Sequence, residues 1–382
     1  MLRGEFHIFA CRGGEAYAQK LVFHLRDLVK ERGKELLRKD SLTLQERREL
    51  EFYENLREQD IGLGKATVVH FLDDEMNVQL DKYENVRDKD VFLVQCPYNT
   101  TDDLTISQHL LETFLFLDSL RRAKARSVTL ISLYFPYGRG DKQHAKDGVP
   151  ASLLANLVTM AGMDNVVTMD LHADQILGFF DPTKVRVEHL HASPLMIHFL
   201  QGRISEGAKM GAPDTGAAKR TQFYARHLEK PMLMAYKRRS YERKHTVDET
   251  RILGLPGKEE VVVVDDLVSS GRSVAKVIER LAEKGTKRVV AVCSHPLLTG
   301  DAVELFDKLY EDKKNPFQLL VGTDAIPHHK EVLGKPWYVE LDTSRFIAKA
   351  VFEMHTSGSL TKLHDPFCVQ RLGLWVPPKN LC

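Results

Sequence analysis

The chain has 382 residues, 43% of them hydrophobic and 28% charged. These are ordinary values for a folded soluble protein and exclude wholesale disorder or a collagen-like repeat. With 54 basic against 53 acidic residues the formal charge is +1, which excludes a globally basic nucleic-acid footprint while leaving a local cationic patch open. At about 150 residues per domain, the length predicts two domains, with three as the upper reading. No apolar run reaches the roughly 18 residues of a membrane helix. The opening MLRGEFHIFACRGGEAY has no secretory apolar core, so a cytoplasmic protein is expected. Five cysteines (Cys11, Cys96, Cys293, Cys368, Cys382) are odd in number, scattered and without a CxxC pair. That pattern points to reduced thiols, not to disulfides or structural zinc. There is no GxxxxGK[ST] loop, and GLGK at residues 62–65 has the wrong spacing, so a nucleotide would be held by another route.

In chain order, residues 6–10 read as a strand and 16–30 as a helix with Ala18, Leu21, Val22, Leu25 and Leu28 on one face. Residues 31–60 then carry 16 charged side chains in 30, nine acidic and seven basic. Thr43 with Glu46 makes a capping box, and Leu50, Tyr53 and Leu56 a thin apolar stripe. This segment reads as a solvated helical hairpin inserted between sheet elements. Residues 91–95 form a strand, and Leu110, Leu111, Phe114, Leu117 and Leu120 the next helical stripe. Strand 127–134, helix 152–161 and strand 165–169 follow. The second half repeats the logic, with strands at 232–236, 261–264 and 288–293. Between the last two lies a helix at 273–284, with Val274, Val277, Ile278 and Leu281 inward and Gly285 as its stop. The alternation predicts βαβ units and mostly parallel sheets in two α/β domains joined near residue 190.

The most specific stretch is VVVVDDLVSSGRSV, residues 261–274. Four valines make a buried strand, and Asp265 and Asp266 stand at its carboxyl end, where open α/β sheets place ligands. Ser269, Ser270, Gly271, Arg272 and Ser273 then turn into a helix. Such a turn offers backbone N–H groups, hydroxyls and the positive end of a helix dipole to a phosphate. The acid pair suits sugar hydroxyls or a metal-bound sugar. A lone Asp-Asp would more often cap a turn. Strand, acids, hydroxyl-glycine turn and helix in succession favour a phosphorylated ribose.

This segment resembles the phosphoribosyl-diphosphate (PRPP) motif shared by phosphoribosyltransferases and ribose-phosphate diphosphokinases. Further segments select the diphosphokinases: TMDLHADQILGFFD (168–181), FPYGRGDK (135–142), VPASLLAN (149–156), PDTGAAKR (213–220) and AYKRR (235–239). The similarity covers roughly residues 66–350, in the family's order. The resemblance implies two phosphoribosyltransferase-like domains, each a mostly parallel sheet flanked by helices. Residues 1–190, with the charged insert 31–60, would form one. Residues 191–382, carrying the PRPP motif and a C-terminal extension, would form the other. It also implies a reaction: Mg-ATP and ribose 5-phosphate give PRPP and AMP, the sugar's anomeric oxygen attacking the β-phosphorus.

Site residues follow from the same resemblance. Lys237 and Arg239 match the catalytic cations on a loop able to close over the transferring group. His172 and Asp214 match the magnesium-associated positions, with Asp170 beside them, and His172 also reaches ATP. Arg139 matches an ATP-contacting arginine, near Asp141 and Lys142. Phe71, Asp73 and Glu75 resemble the adenine loop, usually Phe-x-Asn-x-Glu, with Phe71 stacked on the base. Local sequence alone does not separate that loop from an ordinary strand-to-turn junction. In the family it comes from a neighbouring subunit, so a homo-oligomer is implied, commonly dimers assembled into hexamers. Asp265, Asp266 and residues 269–273 would hold ribose 5-phosphate. Neither nucleic acid nor membrane is an expected partner.

The chain departs from the pattern at Ser269 (an acid is usual), Arg272 (glycine), Gly140 (glutamine) and Asp73 (asparagine). These departures keep a second reading open, a catalytically weak homologue that regulates an active synthetase. Retention of Lys237, Arg239, His172 and Asp214 argues for the enzyme. A PRPP-consuming phosphoribosyltransferase is a third reading; it has no use for Arg139 or the Phe71 loop.

Overall fold

A computed structural model describes residues 6–55, 61–73, 75–238, 249–254 and 259–378. The chain divides into two compact units: residues 1–191 with 343–365, and residues 192–342 with 366–382. Among the described residues, no helix is long and apolar enough to cross a membrane.

The first unit opens with β1 (Phe6–Ala10), α1 (Glu15–Leu37) and α2 (Leu44–Asn55), then a hairpin of β2 (Ala66–His70) and β3 (Met76–Leu80). It continues with β4 (Asp90–Val94), α3 (Ile106–Arg122), β5 (Ser127–Ile131), α4 (Pro150–Met160), β6 (Asn165–Met169) and β7 (Arg186–Leu190). The main sheet runs β1-β4-β5-β6-β7, every neighbouring pair parallel. All of β4 and β6 is buried, which is why these strands read as continuous apolar runs without alternation. Phe9, Val91, Leu93, Val128 and Leu130 form one core with Phe116, Leu117 and Leu120 of α3 and Leu154 and Val158 of α4. The Thr105 hydroxyl accepts the Gln108 N–H, and the Gln108 side chain accepts the Thr105 N–H, so α3 starts on a full capping box.

The charged insert is a helical hairpin. Helix α1 runs seven residues beyond its expected end, through Gly33 to Leu37. Leu36 is fully buried, and Arg32 holds Glu49 of α2 by two bonds of 2.9 and 3.1 Å. Tertiary support outweighs the helix-breaking tendency of Gly33. Thr43 and Glu46 form the reciprocal cap, at 2.9 and 3.2 Å.

The second unit contains α5 (Ser193–Leu200), β8 (Lys209–Ala212), α6 (Ala218–His227), β9 (Met232–Arg238), β10 (Glu249–Leu253), β11 (Glu260–Val268) and α7 (Arg272–Glu283). Then come β12 (Arg288–Pro296), α8 (Ala302–Glu311), β13 (Phe317–Thr323), α9 (Lys330–Leu333) and β14 (Tyr338–Leu341). The sheet order is β10-β9-β8-β11-β12-β13-β14, parallel except for the β9–β10 hairpin. Val274, Val277, Ile278 and Leu281 of α7 pack on Val261, Val263, Val289 and Ala291. Gly285, at φ +82°, ends this helix region as a C-terminal glycine does.

Helix α10 (Ser344–Thr356) returns to the first unit and packs along α1. Tyr17 and Thr343 share a buried hydrogen bond of 2.8 Å, and Tyr53 of α2 stacks on Phe352. Helix α11 (Cys368–Arg371) packs on α5 in the second unit.

Candidate active site

In the first unit, the functional segments follow the carboxyl ends of β5 and β6, the edge where parallel sheets place ligands. The loop after β5 carries exposed Arg139. Its shape depends on Tyr137, at φ +60°, and on Gly140, whose N–H donates to the Tyr137 carbonyl at 2.9 Å. A Cβ on residue 140 would lie 2.9 Å from Cδ and 3.0 Å from Cγ of Pro150. The Gly140 carbonyl also accepts the Ala151 N–H at 3.2 Å, in the first turn of α4. Glycine here therefore lets the arginine loop lie directly on α4, where a glutamine would collide.

The turn after β6 lies against that loop. A Cβ on Gly138 would sit 3.7 Å from Cβ of His172 and 3.5 Å from Cδ1 of Ile176. Gln175 Nε2 donates to the backbone oxygen of Asp141 at 3.0 Å and to its carboxylate at 2.7 Å. Asp141 thus ties the two segments together, and exposed His172 stands beside the arginine loop. Asp170 is buried and held at φ +42°, a strained backbone for a residue with a Cβ. Its carboxylate meets Nδ1 of His191 at 2.9 Å. Nε2 of His189 accepts the Leu171 N–H at 3.0 Å, so His189 carries its proton on Nδ1. Burial, together with the nearby His191, pushes the His189 imidazole down to about 4. These two histidines shape the turn, and the sequence reading missed them. A His-x-His at a strand end carries no signal until β7 is known to pair with β6, Thr168 opposite His189 and Met169 opposite Leu190.

Phe71, Asp73 and Glu75 are exposed at the tip of the β2–β3 hairpin. The Phe71 N–H donates to the Glu75 carbonyl at 2.8 Å, and Asp73 Oδ1 accepts the Glu75 N–H at 3.2 Å. An asparagine could make the same turn, so Asp73 keeps the loop's shape while lacking an amide donor.

In the second unit, β11 ends in the acid pair and α7 opens on the turn of residues 269–273, the expected phosphate loop. Asp266 is buried, and the Arg220 guanidinium from α6 stands 3.3 Å from its carboxylate. Asp265 Oδ1 accepts the Asp266 N–H at 2.9 Å. Burial and the neighbouring Asp266 charge push the Asp265 carboxyl well above the ordinary carboxylate range. Cys293, opposite Asp265 on β12, is buried, and burial with the two acids pushes its thiol up. Gly271 has φ +70°, and a Cβ there would lie 2.8 Å from Cε2 of Phe306, so the position admits only glycine. Ser269 bonds Thr299 through the hydroxyls at 2.9 Å. Arg272 reaches both carboxylate oxygens of Asp301 at 3.2 Å. Ser270 is half-buried and Ser273 exposed. Asp214, exposed after β8, accepts the Ala217 N–H at 3.1 Å and so fixes the entry to α6. Arg220, Thr299 and Asp301 also went unassigned in the sequence reading; they lie 45 or more residues away, or a strand and helix away, from the acids and turn they serve.

Lys237 lies on β9 opposite Thr250 of β10, and its side chain lies outside the described residues, as does the whole of Arg239. Among the described residues, no three His, Cys, Asp or Glu side chains converge as a metal cluster.

Comparison with known proteins now bears on these half-sites. A family profile described as the N-terminal domain of ribose phosphate pyrophosphokinase matches residues 14–162. A phosphoribosyl transferase domain profile matches residues 211–315. A ribose-phosphate pyrophosphokinase of Campylobacter jejuni is 36% identical over 304 residues, which is 79% of this chain and 92% of the relative. The enzyme of that name from Bacillus caldolyticus is 30% identical over 306 residues, 80% of this chain and 91% of its own. Among solved structures, the phosphoribosylpyrophosphate synthetase of Mycobacterium smegmatis is similar at TM-score 0.73 and 25% identity, covering 93% of this chain and 100% of that one.

Proposed function

The chain belongs to the ribose-phosphate pyrophosphokinase family, and on that premise we propose how its residues divide the work of that family's reaction. It is a ribose-phosphate diphosphokinase: it moves the β,γ-diphosphoryl group of ATP to the anomeric hydroxyl of ribose 5-phosphate, giving PRPP and AMP. The observation that carries this is the extent of the match. It spans 92% of the Campylobacter relative's length and includes the N-terminal domain profile, which simple phosphoribosyltransferases generally lack. The PRPP-consuming alternative loses ground for the same reason, and relatives named as ribose-phosphate pyrophosphokinases favour the enzyme over the regulatory reading.

We assign ATP to the first unit. Phe71 stacks on adenine while Asp73 and Glu75 meet its edge. Arg139 and His172 contact the phosphates, and Asp141 fixes the spacing between their two loops through Gln175. Ribose 5-phosphate belongs to the second unit. Asp265 meets one sugar hydroxyl. Asp266, with the Arg220 guanidinium 3.3 Å from its carboxylate, meets another. The 5-phosphate rests on the backbone N–H groups and hydroxyls of residues 269–273, at the positive end of α7. Lys237 and Arg239, by resemblance, place positive charge on the transferring group, where diphosphoryl transfer depends on positioning and charge neutralisation.

The donor set fits magnesium. Magnesium takes few protein ligands, prefers carboxylate oxygen and keeps phosphates and water around it. Asp214 accepts the Ala217 N–H with one oxygen and would offer carboxylate oxygen to the cation, while His172, exposed after β6, would meet the ATP phosphates. Asp170 is committed to His191, so we give it the shaping of the His172 turn. Bound magnesium would neutralise the ATP phosphates. Exposure of Phe71 and of Leu72 at the hairpin tip supports an adenine loop that serves a second copy of the chain, in a homo-oligomer. Among the described residues, four buried free cysteines support a reducing, cytoplasmic setting.

The test is AMP release with ATP, ribose 5-phosphate and Mg²⁺ omitted in turn. AMP should form only when all three are present. No turnover above a Lys237→Ala control would defeat the enzyme reading.

A further inference from the structure

Ser269 and Arg272, the two departures in the phosphate loop, are both tied to one short segment, residues 297–301, after β12. The Ser269 and Thr299 hydroxyls share a bond of 2.9 Å. The Thr299 N–H donates to the Ser269 carbonyl at 3.0 Å, and the Leu298 N–H to the Val268 carbonyl at 3.1 Å. Beyond them, Arg272 Nη2 donates to both carboxylate oxygens of Asp301, each at 3.2 Å. Asp301 precedes α8, yet its carboxylate makes no cap bond there. The Arg272 guanidinium holds that carboxyl below the usual carboxylate range, so the contact is between two full charges. Arg272 is the first residue of α7, where the helix end already favours an anion. The chain thus keeps an anion of its own on a cation of the phosphate loop.

We propose that Asp301 is an internal competitor of the substrate phosphate. It occupies Arg272 while the loop is empty and yields it to the 5-phosphate of ribose 5-phosphate. The pair thereby sets how tightly the enzyme holds its sugar and how well it tells a phosphorylated pentose from an unphosphorylated one. This rests on the assignment of residues 269–273 to the 5-phosphate. The two side chains are 69% and 63% exposed, so the guanidinium can change partners without stranding a buried charge. A phosphate carries more charge and more acceptor oxygens than a carboxylate, and it wins the exchange. The Ser269–Thr299 bond and the two backbone bonds hold the loop still, so the exchange is confined to the Arg272 side chain. A glycine at 272, usual in the family, offers neither the cation nor anything for Asp301 to occupy.

The experiment is Asp301→Asn in the full chain, read by calorimetric binding of ribose 5-phosphate without ATP and by steady-state KM. An exposed ion pair of this kind corresponds to at most about fivefold in affinity. The expected gain is about threefold tighter ribose 5-phosphate, with the KM for ATP unchanged and a steeper loss of sugar affinity as salt rises. Adding Arg272→Gln to Asp301→Asn should cancel the gain. Unchanged or weaker sugar binding in Asp301→Asn, or a gain that survives in the double variant, overturns the proposal. Asp265→Asn, measured alongside, tests the site assignment separately. A selective rise in the ribose 5-phosphate KM upholds that assignment, and an equal rise in both substrates' KM values overturns it and this inference with it.

Discussion

Asp266 is buried, and the Arg220 guanidinium stands 3.3 Å from its carboxylate. Removing Arg220 would take that cation away from a carboxylate beside Asp265, and breaking a buried pair from one side costs about 3 kcal/mol. Arg220→Ala should therefore lower the urea midpoint by an amount of that order and raise the ribose 5-phosphate requirement, with Arg220→Lys recovering part of both. A variant as stable as the parent would show that Asp266 does not depend on Arg220. His328 offers a second residue-scale test. Burial pushes its imidazole from 6.5 down to about 4. The unfolded chain takes up a proton near 6.5 that the folded chain refuses until about 4, so stability is lost as pH falls through that interval. The loss at pH 5 amounts to about 2 kcal/mol. In His328→Gln the drop in unfolding free energy between pH 7.5 and pH 5 should shrink by about that amount. An unchanged slope would place the titration elsewhere.

Among the elements, the phosphate loop and the arginine loop are each built around a glycine, for different reasons. Gly271 is required by its backbone, at φ +70°. Gly140 is required by its neighbour, because a Cβ there would lie 2.9 Å from Pro150. Gly140→Gln, which restores the residue usual in the family, should cost roughly 1–3 kcal/mol as the ring and helix α4 are pushed apart. It should also fail to tighten ATP. A Tm equal to the parent's would contradict this. These loops also mark what the sequence made legible. The strand at 261–264, the helix after it and the acid pair were readable because a four-valine run, two carboxylates and a hydroxyl-glycine turn each impose a local conformation. The charged insert was readable as a helical hairpin from its cap and stripe. The length of α1 was not, because Gly33 argues for a stop and only the packing of α2 and α10 overrides it. Likewise His189, His191, Arg220 and Asp301 act across strand pairings or between loops, and their spacing in the chain carries no trace of that. Gly140, read from sequence only as a departure from the usual glutamine, lies against Pro150.

For the whole molecule, the nearly equal counts of basic and acidic residues, 54 and 53, average over two differently charged half-sites. The first unit presents Arg139 and His172 from loops after β5 and β6. The second presents an acid pair, a phosphate loop and Asp214. Return of residues 343–365 to the first unit means that the chain's end stabilises its beginning: α10 covers α1 and, through Phe352, the Tyr53 face of α2. No periodicity in the sequence signals that return, because α10 reads like any other amphipathic helix. The central claim is that this chain moves a diphosphoryl group intact from ATP to ribose 5-phosphate. ATP labelled at the β-phosphorus tests it most directly, with Mg²⁺ and ribose 5-phosphate present. The account predicts that all label leaving ATP appears in the sugar product, with unlabelled AMP released in equal amount. Label appearing in ADP, or in free phosphate without a labelled sugar, would contradict it.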